Sequence, residues 1–282
     1  MIALPWAAIF LAAAAVWFRP LRGLALGLLV LGYAAALAEG LLGVEAAGPI
    51  LLLLAAAAAV SQTRNRLLCY AGHVLFIALA LALSLHVLPG FHNPRVIDAE
   101  RFTPDAVPFT LYLNLDKPLA GFWLLLVLPW IQPPRGLRAV LTAVPTCLVA
   151  TAMACLVAAA SLGLVVWAPK WPDLLWLWVL NNLLLVCLAE EAVFRGYIQG
   201  GLARLLNRQP YGEVVALLVS AILFGLAHAA GGWQWVLVGS IAGIGYGVAY
   251  RLGGLRASVL VHFGLNLLHI SLFTYPSLQL TV

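Results

Sequence analysis

Ten apolar runs set what this chain can become: residues 2–18, 24–44, 46–61, 67–89, 119–131, 139–166, 172–194, 213–230, 233–250 and 257–274. The hydrocarbon core of a bilayer takes a helix of about 20 mostly apolar residues. Inside lipid, a helix satisfies its own backbone hydrogen bonds. The runs therefore predict an all-α, polytopic transmembrane bundle of about eight to ten membrane helices. The runs at 46–61 and 119–131 are short for a span. Composition points the same way: 64% of the 282 residues are hydrophobic and 9% are charged. Soluble domains have about 45–50% and about 25%. That balance excludes a soluble globule, a disordered chain, a coiled coil and a nucleic-acid binder. The net charge of +5 comes from arginines scattered between apolar runs, not from a basic face. The first run lacks a positively charged leader and reads as a retained helix rather than a signal peptide.

Basic residues test the count, because cytoplasmic loops of membrane proteins collect Lys and Arg. With the N-terminus outside, the inner loops hold five arginine pairs: Arg19 and Arg22, Arg64 and Arg66, Arg135 and Arg138, Arg204 and Arg208, Arg251 and Arg256. The outer loops hold Arg95, Arg101, Lys117 and Lys170, together with Glu45, Asp98, Glu100, Asp105, Asp116 and Asp173. Ten spans with both termini outside is the topology expected. One long polar segment, 90–118, contains Pro94, Pro104, Pro108 and Pro118. It reads as a linker, with an ordered outer cap as the alternative. It divides N-terminal membrane helices at 1–118 from a C-terminal core at 119–282. Cys69, Cys147, Cys155 and Cys187 have no metal-like spacing and read as small apolar packing residues.

Few ionisable residues are left inside the spans, and these carry information. Glu39, His73 and His86 are isolated in the N-terminal half and read as structural. The C-terminal half places Glu190, Glu191, Arg195, His228, His262, Asn266 and His269 on apolar runs. A charge at mid-bilayer costs about 2.5–3.5 kcal/mol on insertion scales, so adjacent carboxylates need a partner or a task. Glu191 and Arg195 are four apart, within ion-pair reach on one helix face. Glu190 then points to another face, free to hold a proton or a water. Burial and a nearby imidazolium act on its carboxyl in opposite senses, the balance a general base needs. Phe224 stands one turn before His228 and is placed to pack on the ring or the site wall. His262 and Asn266, four apart, share a face and offer two donors to one point, the make-up of an oxyanion hole. A polar clamp between helices is the other reading of that pair. Gly239, Gly243 and Gly247 form a small-residue ridge for close helix packing.

Depth sets a constraint. At 1.5 Å per residue, Glu190 lies about 21 Å from Arg204, and His228 about 22 Å from Glu213. His262 is only about 9 Å past Arg256, too shallow to meet them. Either the last helix starts deeper, or the Glu190 helix breaks near Gly196 or Gly200. A bend after Arg195 is expected.

The elements Glu190-Glu191-Ala-Val-Phe-Arg195, Phe224-Gly-Leu-Ala-His228 and His262-Phe-Gly-Leu-Asn266 resemble the EExxxR, FxxxH and HxxxN motifs of the CPBP family. That family includes type II CAAX prenyl endopeptidases and bacteriocin-processing or immunity relatives. The order and spacing agree, and the resemblance covers roughly residues 140–274. It implies a CAAX-protease-like core and a glutamate-dependent intramembrane endopeptidase. By that resemblance Glu190 activates water and His228 helps to hold it. His262 and Asn266 stabilise the oxyanion, while Glu191, Arg195 and Phe224 brace the site. The implied partner is a membrane-associated protein or peptide in the lipid bilayer, and no cofactor is called for. A zinc variant would use Glu190, His228 and His262 as ligands. A non-proteolytic scaffold or immunity-type binding protein of the same fold is a rival, as is a proton-coupled transporter. The transporter predicts paired repeats, and the polar cluster occurs in one half only. Thirteen arginines against two lysines hint at a GC-rich bacterial genome and an inner-membrane location.

Overall fold

The computed structural model describes residues 3–62, 64–133 and 135–279. The first predicted run begins at residue 2, outside the described residues. The helices are α1 (Ala3–Ala15), α2 (Arg22–Ala38), α3 (Ala47–Val60), α4 (Arg66–Ser84), α5 (Lys117–Val127) and α6 (Leu137–Ser161). They continue with α7 (Leu175–Leu205), α8 (Gly212–Leu226) and α9 (Trp233–Leu272). Among the described residues, five helical stretches are long and apolar enough to cross a membrane, and four shorter apolar helices accompany them. The all-α polytopic bundle expected from the runs is the architecture found. Large apolar side chains such as Leu51, Leu54 and Leu67 face outward, the arrangement of a protein whose solvent is lipid.

The predicted spans at 233–250 and 257–274 are joined into one 40-residue element, α9, kinked at Gly254 with φ +74° and ψ −170°. Only glycine adopts that backbone cheaply. Helix α7 is also unusual. It is π-helical over Asn182–Cys187, α-helical over Leu188–Glu191, and π-helical again over Ala192–Gln199. Where a bend after Arg195 is expected, the chain changes its winding and the helix carries on to Leu205. Single π turns inside helices recur at functional sites.

Contacts divide the described chain into two compact units. The first runs to Arg95 and includes Tyr112–Pro129 and Leu184–Ala189. In it, Gly32 lies against Ile9 and Gly72 against Ala59 and Val60, so α1 meets α2 and α3 meets α4 at backbone range. Trp123 stacks on Phe76 at 4.1 Å between ring centroids, and its indole N–H donates to the Leu53 carbonyl at 2.8 Å. The second unit comprises Val96–Leu111, Trp130–Leu183 and the chain from Glu190 onward. Here α9 packs on both α6 and α8. The glycine ridge does the work expected of it. A Cβ on Gly239 would stand 3.1 Å from the Gly225 backbone, and one on Gly243 would stand 2.9 Å from Ala221.

These units do not follow the expected division at 118/119. Helix α5 groups with the first unit, and 96–111 with the second. The 90–118 segment is also not a free linker. Strands β1 (Arg95–Glu100) and β2 (Phe109–Tyr112) pair. Val107 donates its backbone N–H to Ser277, and Gln279 donates to Asp105. Phe109 and Tyr275 meet edge to face at 5.0 Å. The segment is an ordered cap bound to the C-terminal tail. Its prolines read as loop markers, while the tail segment it binds lies more than 150 residues away in sequence, beyond the reach of local patterning.

Candidate active site

The seven residues singled out in the sequence all lie in the second unit. Glu190 and Glu191 occupy the short α-helical stretch between the two π segments of α7, and Arg195 sits on the second π segment. Phe224 is on α8, and His262 and Asn266 are on the far half of α9. His228 is not on a helix. It follows the end of α8 and precedes a 3-10 turn at Ala229–Gly231. Its backbone N–H turns back to Gly225, and Gly231 and Gly232 keep the chain from continuing as α-helix.

Glu191 is the organising residue, with no exposed surface. Arg195 Nε donates to its Oε2 at 3.1 Å, the ion pair expected from the four-residue spacing. The Ser258 hydroxyl donates to the same oxygen. His262 Nδ1 donates to Oε1 at 2.9 Å. Arg195, equally buried, also donates through Nη1 to Ser220 Oγ at 3.0 Å. Ser220 passes its own proton to the Phe194 carbonyl at 2.6 Å. Phe224 lies under the guanidinium at 5.3 Å, close enough for cation–π attraction. A buried ion pair survives only when its remaining donors and acceptors are satisfied, and these two serines supply part of that.

The network fixes both imidazoles. A carboxylate only accepts, so His262 carries its proton on Nδ1 and presents Nε2 to the site. That nitrogen stands 3.9 Å from Glu190 Oε2, too far for a direct hydrogen bond and a separation at which a bridging water is the natural question. The ring is clamped by Tyr246, stacked at 4.5 Å, and by Phe224, edge-on at 5.5 Å. His228 Nδ1 donates to the Phe224 carbonyl at 2.8 Å, so the neutral ring carries its proton there and Nε2 is the accepting nitrogen. Glu190 keeps 16% of its side-chain surface exposed while Glu191 keeps none. The sequence argument for two carboxylates on different faces thus has its counterpart in space.

Asn266 departs from the simplest expectation. Its amide donates to Asn182 Oδ1 at 3.2 Å, so at least one of its two N–H groups is already committed within the protein. His262 has spent its Nδ1 proton on Glu191. The pair therefore offers two donors to one point only when His262 is doubly protonated. Phe224, His228, His262 and Asn266 line a cavity of about 90 Å³, with Cys155 and Trp235 on its apolar side. That is room for a few waters. Among the described residues, no three His, Cys, Asp or Glu side chains are grouped to hold a metal ion.

Four participants escaped the sequence reading: Ser220, Ser258, Tyr246 and Asn182. A signal for two of them was present. Ser220, Phe224 and His228 are spaced by four, as are Ser258, His262 and Asn266, so each serine lies one turn below its functional partner. Asn182 and Tyr246 carry no comparable mark.

Residues 171–268 match the model of a protease family described as type II CAAX prenyl endopeptidase Rce1-like. All the residues of the network lie within that stretch. No curated protein and no solved structure matches the chain.

Proposed function

With residues 171–268 as a type II CAAX prenyl endopeptidase Rce1-like domain in an integral membrane protein, we propose that this chain is a glutamate-dependent intramembrane endopeptidase. Glu190 takes a proton from a water lying between its carboxylate and His262. The resulting hydroxide attacks the carbonyl carbon of a peptide bond. His228, through Nε2, helps to hold that water. The tetrahedral oxyanion accepts hydrogen bonds from the side-chain amide of Asn266 and from Nε2–H of His262 as imidazolium. Glu190 then returns its proton to the amide nitrogen, and the C–N bond breaks. No metal is needed in this sequence of steps.

The observation that carries this reading is the Nδ1–H bond from His262 to the buried Glu191 carboxylate. A neutral His262 fixed in this way has only a lone pair on Nε2. A carboxylate that Arg195 holds ionised makes the imidazolium affordable in a dry site. Glu191 is thereby assigned to charging and orienting His262, beyond bracing the helix. The substrate is a membrane-associated protein or peptide, cut in the half of the bilayer nearer the arginine-rich loops. Those loops lie on the cytoplasmic side of a bacterial inner membrane, with both termini outside.

The test compares membrane proteomes of cells carrying wild-type protein or Glu190→Gln at equal abundance. Uncleaved precursors accumulate in Glu190→Gln. Identical termini in both would refute the protease and favour a scaffold of the same fold. Cleavage by purified protein in the presence of a chelator separates this mechanism from a zinc-dependent one.

A further inference from the structure

A second cavity in the same unit, about 470 Å³, is separate from the candidate active site. Its size falls within the range of about 300–1,000 Å³ common to ligand pockets. Arg135 borders it just before α6 begins, Gln199 at the end of the second π segment, and Tyr250 and Arg251 just before the α9 kink. The proposed catalytic steps use none of these.

Its chemistry is that of an anion site. Arg135 and Arg251 line it, and the charges of Arg135 and Arg204 both reach the Tyr250 phenol. Against the two arginines of the lining stands one carboxylate, Glu213, which accepts from Arg251 Nη2 at 2.6 Å. That pair is solvent-exposed, with side chains 43% and 68% accessible, and such pairs bind weakly. An anion therefore competes for Arg251 at small cost. The stem of the exposed Arg135 lies against the α9 kink: a Cβ on Gly254 would come within 2.8 Å of its Cγ. The Tyr250 hydroxyl lies over Gly200 of α7, where a Cβ would be 2.8 Å away.

Part of the lining is apolar. Val248 and Leu252 stand in it one helical turn apart, and both are exposed on α9. Cationic and polar groups beside exposed hydrocarbon fit an amphiphile better than a free ion. Arg138, Arg204 and Arg256 lie close in sequence to the cavity's own residues and mark a basic end of this unit, and basic pockets between helices at a membrane surface hold lipid headgroups.

We infer that this cavity binds the phosphodiester headgroup of an anionic lipid, its acyl chains leaving along Val248 and Leu252. The headgroup touches both α7 and α9, the helices that carry Glu191 and His262. Bound lipid thus ties together the two elements whose alignment the site requires, and it raises the midpoint of thermal unfolding.

The test uses the full chain purified in detergent, titrated with dioleoylphosphatidylglycerol, dioleoylphosphatidylcholine or inorganic phosphate. Native mass spectrometry and thermal unfolding are the readouts. The expected result is saturable binding of phosphatidylglycerol, at least about tenfold tighter than phosphatidylcholine, with a raised unfolding midpoint. Loss of a charge-assisted hydrogen bond corresponds to about tenfold to about a hundredfold in affinity, so Arg135→Ala weakens phosphatidylglycerol by that much. Arg135→Lys recovers part of the loss, which distinguishes missing charge from misfolding. Equal retention of the two lipids overturns the inference. So does inorganic phosphate binding as tightly as lipid, or undiminished phosphatidylglycerol binding in Arg135→Ala and Arg251→Ala.

Discussion

Each of the two units buries a carboxylate and sets a histidine against it. In the first unit, Asp116 is 1% exposed and accepts from His86 Nδ1 at 2.7 Å. In the second, Glu191 is wholly buried and accepts from His262 Nδ1 at 2.9 Å. The remaining partners differ. Asp116 also accepts from the backbone of Lys117 at 2.8 Å and from Asn93 at 3.2 Å, so it caps α5. His86 keeps 43% of its side chain accessible. Glu191 instead meets a guanidinium and a serine, and His262 points its second nitrogen at another carboxylate. A His–carboxylate pair is therefore not a site in itself. What distinguishes the second is a buried guanidinium paired with the carboxylate and a further acid placed across the imidazole.

Substitutions break or sharpen this contrast, and within the two His–carboxylate clusters the largest effect is expected at His262. Removing one oxyanion donor costs about 10²- to 10³-fold in rate, so His262→Ala lowers turnover of an identified substrate by at least that factor. His86→Ala leaves turnover unchanged. Next comes Arg195→Ala, which leaves Glu191 as an uncompensated buried charge. Such a break costs about 3–5 kcal/mol, seen as a lower midpoint in denaturant or heat. A hydrogen bond to a charged group contributes about 1.5–3 kcal/mol, and Ser258→Ala loses up to that amount in the same assay while retaining some cleavage. The smallest effect belongs to Asp116→Ala. Loss of a helix cap costs about 0.5–2 kcal/mol, and the cleavage rate per folded molecule stays at the wild-type value.

The contrast also explains what could be read from sequence. Residues four apart on a helix remain neighbours whatever the surroundings, so the Glu191–Arg195 pair and the shared face of His262 and Asn266 were legible. So was the scarcity of charge that marked the spans. The cap at 95–112 was not, because the tail residues that bind it, Ser277 and Gln279, are distant in the chain. The π winding of α7 was equally hidden, since no residue type signals it. The role of Asp116 was missed for a different reason. In a loop between spans it looks like an ordinary solvated acid, and only its contacts with Asn93 and His86 reveal it as a buried cap. His228 looked helical because its run is apolar, although Gly231 and Gly232 close behind it stop the helix.

The central claim is that Glu190, not merely the buried network behind it, performs the chemistry. The most direct measurement is the cleavage rate of one identified substrate in reconstituted membranes, for Glu190→Gln and Asp116→Asn at matched amounts of folded protein. General-base catalysis contributes about 10²- to 10⁴-fold. The account predicts a loss of that size for Glu190→Gln, with unchanged thermal stability, and a wild-type rate for Asp116→Asn. A Glu190→Gln protein that cleaves at the wild-type rate would contradict it.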